Sequence, residues 1–363
     1  MAYLDIINNL IQSISSTIVN FTSERAKSTP PTQVSSEFLT NKEQGDWAEK
    51  TLLDGINKNS EAYIAVKYGR GDDIIAGEEG FKEFYERYQQ ELDSIGKRPD
   101  ILIFKKRDFS FQTTDISNFD LKVLDQIVPK ALCGIEVRSS AFLIDKYEQY
   151  MSNRQETLRH KALCAKKEIL SMYGSLLQSK DPALFEIIQS VREENLHALS
   201  FRCPSWKSTE ELQRLSLLLK GLKQTISEIT KKRTFLSITP KVEDLKVVYN
   251  WVKTYGIPHY YVQVFFDKAY GVSYQRILEL LGTPALENYE YFIESDIKNQ
   301  NKTTIKIHAT NEQLILRQIN LPKHHSQMKE LGRGRLLFYV VFDDSISVID
   351  KEGFHNLFGF ELQ

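Results

Sequence analysis

The sequence predicts an α/β protein in which a central sheet is flanked by helices and interrupted by a large helical insertion. Short β-rich runs alternate with amphipathic helices over the first 140 residues. Residues 144–230 then show helical periodicity without a strong strand signal, which indicates the insertion. Between residues 235 and 267 the pattern turns to a strand, a helix and a strand. Such alternation is typical of a sheet covered by helices.

Composition bounds the class of protein. The chain has 363 residues, of which 41% are hydrophobic and 26% charged, so a disordered or collagen-like protein is excluded. The formal net charge of -1 gives no global sign of a nucleic-acid partner, so any polyanion site must be local. Three cysteines are too few for a disulfide framework and lack zinc-site spacing. Without a signal peptide or a membrane-spanning run, the expected location is cytoplasmic.

The N-terminal part of the chain alternates helices with short strands. Within residues 1–40, the sequence predicts a helix over residues 4–18 and then a polar linker or arm. A helix over residues 44–57 and the strand AYIAVKY come next. A charged helix over residues 81–95 leads into GKRPDILIF. ILIF is a compact β-rich run, so Asp100 lies where a strand begins, and GIEVRSS supplies a second buried strand.

A strand, a helix and a strand follow the insertion: FLSITP, VEDLKVVYNWVKTYG and HYYVQVFFD. The Glu-Asp first turn suits the positive end of the helix dipole, and Gly256 and Pro258 mark the end of the helix. A unit of this length joins parallel strands, so we expect the two strands to be parallel neighbours. After one more helix, residues 286–363 form a C-terminal α/β extension with the strand candidates TTIKIHA and RLLFYVVF.

Two short motifs contain the residues best suited to a catalytic site. Asp100 precedes ILIF, and Glu136 and Arg138 lie two positions apart in GIEVRSS, so both face one side of a strand and Val137 faces the other. If the two strands are neighbours, Asp100 meets this pair. Two carboxylates at one end of adjacent strands can hold Mg²⁺ through oxygen. Alternatively, the two carboxylates are ordinary solvated acids, which strand ends also carry.

The motifs resemble the PD-(D/E)xK nuclease pattern, with Asp100 and Glu136 at its two acidic positions. Arg138 stands where that family usually has Lys, and an arginine that stays protonated cannot act as a general base. Four segments, in this order, also resemble type II restriction endonucleases of the AccI kind: AGEEGFKEFY, IGKRPDILIF, GIEVRSSAFL and TPKVEDLKVVYNWVKTYGIPHYYVQVFFD. The resemblance covers residues 40 to 285.

The resemblance implies a restriction-endonuclease-like mixed central sheet and a catalytic domain over residues 41–285 that includes the insertion 144–230. It implies a homodimer that cuts double-stranded DNA at a short palindrome similar to GTMKAC, with Mg²⁺, leaving 5′-phosphate and 3′-hydroxyl ends. A cognate DNA methyltransferase would be encoded nearby. The expected metal-binding positions are Asp100, Glu136 and Val137, and residues 286–363 would serve DNA recognition or dimerisation.

Further candidate residues surround the motifs: Glu49 and Lys241 as catalytic groups, and Lys97, Arg98, Ser139 and Ser140 as DNA contacts. Glu49 would support the metal site from a helix, and Lys241 would supply the amine that Arg138 cannot. Both are also explained as solvated residues at helix or loop positions. Asp72 and Asp73 lie in a loop that could approach DNA or metal, although turn chemistry alone explains them.

Two rival functions stay open: a non-catalytic DNA-binding protein on the same fold, and a repair nuclease acting on structured or damaged DNA. The absent lysine motivates the first. The charge distribution agrees with DNA binding in general. Residues 141–240 carry 16 basic and 11 acidic residues, a net charge of +5, whereas residues 1–140 carry 17 basic and 22 acidic residues. The insertion is therefore the expected contact for phosphates.

Overall fold

A computed structural model describes residues 2–25, 29–71, 74–231, 234–296 and 302–362. The chain divides into two compact units: residues 1–144 together with 237–363, and residues 145–236. The first unit holds a large sheet and the helices that flank it, so the predicted α/β class with a mixed central sheet is confirmed. Among the described residues, no helix is both long and apolar enough to span a membrane.

The central sheet has seven strands in the order β1-β2-β3-β5-β6-β9-β12. β3 and β5 run parallel, whereas every other neighbouring pair is antiparallel. The strands are β1 (Tyr63–Lys67), β2 (Ile101–Lys105), β3 (Cys133–Ser139), β5 (His259–Val264), β6 (Ala269–Ser273), β9 (Gln313–Ile319) and β12 (Ser347–Ile349).

Two smaller sheets complete the first unit. A three-stranded sheet contains β4 (Ser237–Ile238), β8 (Lys302–His308) and β7 (Tyr291–Asp296), and a hairpin pairs β10 (His324–Leu331) with β11 (Arg335–Phe342). The expectation that β4 and β5 are parallel neighbours is wrong. β4 pairs antiparallel with β8, because β5 already has β3 along one edge and β6 along the other. The parallel crossover therefore runs from β3 to β5 through residues 140–258, which include the second unit, β4 and the helix over residues 242–255.

Residues 286–363 contribute β9 and β12 to the central sheet as well as the hairpin. Helix α2 (Ser36–Asn59) packs its apolar side, including Trp47 and Leu52, into the core of this sheet. α2 begins before the predicted residue 44 because the Ser35 hydroxyl accepts a hydrogen bond from Phe38 N at 3.1 Å and caps the helix. The other helices of the unit are α1 (Tyr3–Ser13), α3 (Phe81–Ser94), α4 (Leu121–Ile127), α8 (Val242–Tyr255), α9 (Tyr274–Leu281) and α10 (Lys351–Phe358).

The second unit is helical, as its periodicity predicts. It contains most of α5 (Ile144–Lys180), α6 (Pro182–Ser190) and α7 (Glu210–Lys231). These helices bury a core of their own, which includes Leu177, Ile188 and Leu219. Burial of this apolar surface is what stabilises the three helices against one another.

Candidate active site

Asp100 lies immediately before β2 and reaches the neighbouring strand β3. Its Oδ2 accepts a hydrogen bond from Val137 N at 2.6 Å. Gly134 makes the approach possible, because a Cβ there would lie 2.6 Å from the Cγ of Pro99. The structure therefore brings Asp100 beside the strand that carries Glu136 and Arg138.

Glu136 is almost completely buried, with 2% of its surface exposed. Its Oε1 accepts a hydrogen bond from Lys97 Nζ at 2.5 Å and lies 3.0 Å from Arg138 Nη2. Its Oε2 is also buried, and within the described part of the chain it has no hydrogen-bond partner. A buried carboxylate oxygen without a partner is costly in free energy, so this atom is ready to accept a ligand.

Asp244 completes this cluster, and the sequence reasoning did not single it out. Its Oδ2 accepts hydrogen bonds from Arg138 Nη2 at 2.7 Å and from Lys97 Nζ at 3.0 Å. Glu136, Lys97, Asp244 and Arg138 thus form a closed ring of alternating charge, which we call the ion ring. The only sequence signal for Asp244 is the acidic first turn of α8, which the helix dipole explains equally well.

The acids of the site differ in their tendency to ionise. Burial, together with the negative charges of Glu136 and Glu49, raises the pKa of Asp100 well above its usual range. Burial alone would also raise the pKa of Glu136 and of Asp244, but Lys97 and Arg138 outweigh it and lower both pKa values. The ionised form is therefore favoured for Glu136 and Asp244, whereas Asp100 ionises less readily than an isolated aspartate.

Glu49 and Lys241 belong to the same electrostatic environment. Burial raises the pKa of Glu49 to about 7, with Lys67 opposing the shift and Glu136 adding to it. Lys241 directly precedes α8, and burial together with the positive charges of Arg138 and Lys97 lowers its pKa, against the influence of Asp244. Lys241 therefore loses its proton more readily than an exposed lysine, whereas Arg138 stays protonated.

The predicted DNA contacts take different positions. The Lys97 ammonium is engaged in the ion ring. Arg98 is 8% exposed, and its Nη2 donates to Glu91 Oε2 at 2.9 Å while its Nη1 donates to the Ser117 carbonyl at 3.2 Å. The guanidinium of Arg98 thus stabilises the interior rather than facing solvent. Asp72 and Asp73 lie outside the described residues.

Ser139 and Ser140 lie at the end of β3 and are both partly buried. Ser140 N donates to the Val264 carbonyl at 2.9 Å, which prolongs the pairing of β3 with β5.

Beside this end of the sheet, a cavity of about 320 Å³ is lined by Asp100 and Lys97 together with Gly69, Arg70, Phe84, Tyr88, Glu91 and Arg98. Asp100 and Lys97 are therefore accessible from one side.

The donor set fits a hard divalent cation. Within the described residues no group of three or more His, Cys, Asp or Glu side chains is arranged to hold a metal. Mg²⁺, however, commonly uses only one or two protein carboxylates and keeps several waters. Glu136 offers an unpartnered buried oxygen, and burial together with neighbouring negative charge raises the pKa of Asp100. A cation would give the Glu136 oxygen a partner and would favour the ionised form of Asp100.

Comparison with known families decides the identity of the chain. The profile of the family described as AccI restriction endonuclease matches residues 1–363, the whole chain. The chain belongs to the AccI restriction endonuclease family. Neither a curated protein nor a solved structure matches it. Membership of this family makes the protein a DNA-binding nuclease of the type II restriction class, and restriction endonucleases of this kind generally use divalent metal ions.

Proposed function

We propose that the protein is a Mg²⁺-dependent endonuclease that cuts both strands of duplex DNA at a short palindrome similar to GTMKAC. The products would carry 5′-phosphate and 3′-hydroxyl ends. The observation that carries the proposal is the buried, unpartnered Oε2 of Glu136 beside Asp100, in a chain of the AccI restriction endonuclease family. The two carboxylates would hold the divalent cation, and the fixed cations beside them would bind the anionic phosphodiester.

Asp100 and Glu136 are the residues proposed to hold Mg²⁺, with Val137 contributing through its main chain, since its side chain faces the other side of β3. The metal would supply a water of lowered pKa as the nucleophile. Arg138 would bind the scissile phosphate. Burial would lower the pKa of Arg138, but Glu136 and Asp244 outweigh it and raise the pKa further, so the guanidinium stays charged.

Lys241 is the proposed proton acceptor, because burial lowers its pKa and Arg138 is unable to take a proton. Glu49 would support the metal-binding acids from α2. Ser139 and Ser140, at the end of β3, would donate hydrogen bonds to DNA phosphate. Arg98 is not included among the proposed contacts, because its guanidinium is bound to Glu91 and the Ser117 carbonyl.

The second unit is proposed to bind the DNA backbone. Residues 141–240 carry a net charge of +5. Lys207, Lys220 and Lys223 are all exposed and line one cavity of about 660 Å³, which also borders Trp206. Clustered lysines of this kind bind phosphates and release counterions from DNA. Lys232 and Arg233, two further basic residues of this segment, lie outside the described residues.

A palindromic site favours a homodimer in which each subunit cuts one strand. A methyltransferase of the same specificity, encoded nearby, would protect the host DNA. Digesting a mapped plasmid in Mg²⁺ and sequencing the cut ends tests the proposal. We expect discrete fragments from the parent protein and none without divalent cation. DNA binding without any cutting would favour the non-catalytic alternative, and cutting confined to branched or damaged DNA would favour a repair nuclease.

A further inference from the structure

The ion ring places one oxygen of each carboxylate between two cations. Glu136 Oε1 and Asp244 Oδ2 each contact both Lys97 Nζ and Arg138 Nη2, at distances of 2.5 to 3.0 Å. Neither cation therefore depends on Glu136 alone. This arrangement is unusual for a metal-binding acid, because Glu136 is already neutralised by two positive charges.

A divalent cation at Glu136 would lie close to both Lys97 and Arg138. Like charges at such separations repel strongly in a poorly solvated site. Without a second anion, the metal would either bind weakly or push the two cations out of place. Asp244 is the residue that supplies this second negative charge.

We propose that Asp244 is a positioning residue of the metal site, which holds Lys97 and Arg138 in place and offsets their charge so that Glu136 can accept a divalent cation. This inference rests on the proposed function. It assigns a role to a residue outside the two sequence motifs, on a helix more than 100 positions away from Glu136.

Main-chain contacts hold Asp244 and Lys97 together. Lys97 N donates to the Val247 carbonyl of α8 at 2.9 Å. Gly96 permits this approach, because it has a φ of +84° and a Cβ there would lie 2.2 Å from the Val247 carbonyl oxygen. The Tyr274 hydroxyl, itself buried, donates to the Leu245 carbonyl at 2.8 Å and fixes the same turn of α8. The first turns of α8, which carry Asp244, are thus held by one main-chain and one side-chain hydrogen bond.

The test measures Mn²⁺ binding to the full-length protein by calorimetry, in the absence of DNA. Asp244→Asn should weaken Mn²⁺ binding by about 10- to 100-fold, the range found when a group that supports a metal ligand is removed. Glu243→Gln is the matched control. Glu243 lies in the same helical turn and is exposed, and its Oε1 accepts a hydrogen bond from Thr303 N. The control should bind Mn²⁺ as the parent does.

Three further variants separate a local charge effect from loss of folding. Asp244→Glu keeps the charge and should recover part of the lost affinity. Lys97→Gln removes one positive charge beside Glu136 and should bind Mn²⁺ more tightly than the parent. The double variant Lys97→Gln/Asp244→Asn should bind Mn²⁺ less tightly than Lys97→Gln alone. This comparison tests the role of Asp244 even if Asp244→Asn by itself does not fold.

Unchanged Mn²⁺ affinity in Asp244→Asn, or an equal loss in Glu243→Gln, would overturn the inference. Plasmid cleavage by the parent separates this outcome from failure of the proposed function. A parent that cuts DNA while Asp244→Asn binds Mn²⁺ normally contradicts only the role of Asp244. A parent that neither binds Mn²⁺ nor cuts DNA contradicts both proposals.

Discussion

Charged residues are used in opposite ways in the two units of the molecule. In the first unit the ion ring is largely buried: the side chains of Lys97, Arg138 and Asp244 are about one-fifth exposed, and Glu136 is 3% exposed. In the helical unit the ion pair of Arg214 with Glu210 has side chains that are 65% and 77% exposed. A buried charge depends on its partners, whereas an exposed one is satisfied by water. The buried ion ring suits catalysis, and the exposed charges of the helical unit suit reversible contact with a polyanion.

The largest expected effect is on catalysis. Glu136→Gln keeps the shape of the side chain but removes the charge that the metal requires, so we expect plasmid cleavage in Mg²⁺ to fall by about 10³-fold or more. Gel electrophoresis of a time course measures the rate. The affinity for DNA, measured by mobility shift without metal, is the control and should persist. Cleavage at the parent rate would remove Glu136 from the proposed site.

The next effect is on stability. Arg138→Met leaves two buried carboxylates with one cation, so the free energy of unfolding in urea should fall by about 3 kcal/mol. Arg214→Met, the matched change in the exposed pair of the helical unit, should lower it by less than about 1 kcal/mol. Equal losses for the two variants would mean that burial of the ion ring does not distinguish it from a surface pair.

A third prediction concerns pH and a buried acid outside the ion ring. Glu312 has Arg276 Nε at 3.9 Å as its counter-charge. Burial raises the pKa of Glu312 to about 7, although Arg276 opposes the shift, whereas an unfolded glutamate ionises with a pKa of about 4.3. Between these pH values the folded protein binds more protons, so stability is lost as pH rises through this window.

Replacing Glu312 by Gln removes this dependence. We expect Glu312→Gln to be about 1 kcal/mol more stable than the parent at pH 8 and indistinguishable from it at pH 4. Thermal unfolding at both pH values provides the measurement. A variant less stable than the parent at pH 8 would show that the Arg276 contact outweighs the burial of the carboxylate.

The smallest expected effect is on DNA affinity. Lys220→Gln/Lys223→Gln removes two exposed charges of the helical unit, so affinity should fall several-fold and the slope of log affinity against log salt should decrease by about 2. Fluorescence anisotropy at several salt concentrations measures both. Lys82→Gln, at an exposed lysine of α3 in the first unit, is the control. If both variants have the same salt slope as the parent, the helical unit does not contact phosphate through these lysines.

Local sequence patterns were sufficient to predict much of the fold. The alternation of β3 predicted that Glu136 and Arg138 face the same side, and the compact run ILIF placed Asp100 at the start of a strand. The helical periodicity of residues 144–230 predicted a helical segment, and the structure places α5, α6 and α7 there. These features depend on neighbours in sequence, which is why they can be read from a single chain.

Other features depend on distant partners, so the local sequence gave no sign of them. FLSITP has a strand pattern, but its observed strand, β4, pairs with β8 rather than with β5. Arg98 has the sequence context of a phosphate contact, yet Glu91 and the Ser117 carbonyl bind its guanidinium. Lys97, predicted as a DNA contact, bonds to Glu136 and Asp244.

Strand alternation alone places Glu136 and Arg138 on one side of β3, whereas the ion ring depends on the tertiary fold, which brings distant parts of the chain together. Lys97 and Asp244 are 147 positions apart and meet because the crossover from β3 to β5 returns α8 to the end of the sheet that carries Asp100. No local pattern predicts the contact between Lys97 and Asp244, since an acidic first turn looks the same on any helix. The charge state of each acid likewise depends on burial and on neighbours that only folding supplies.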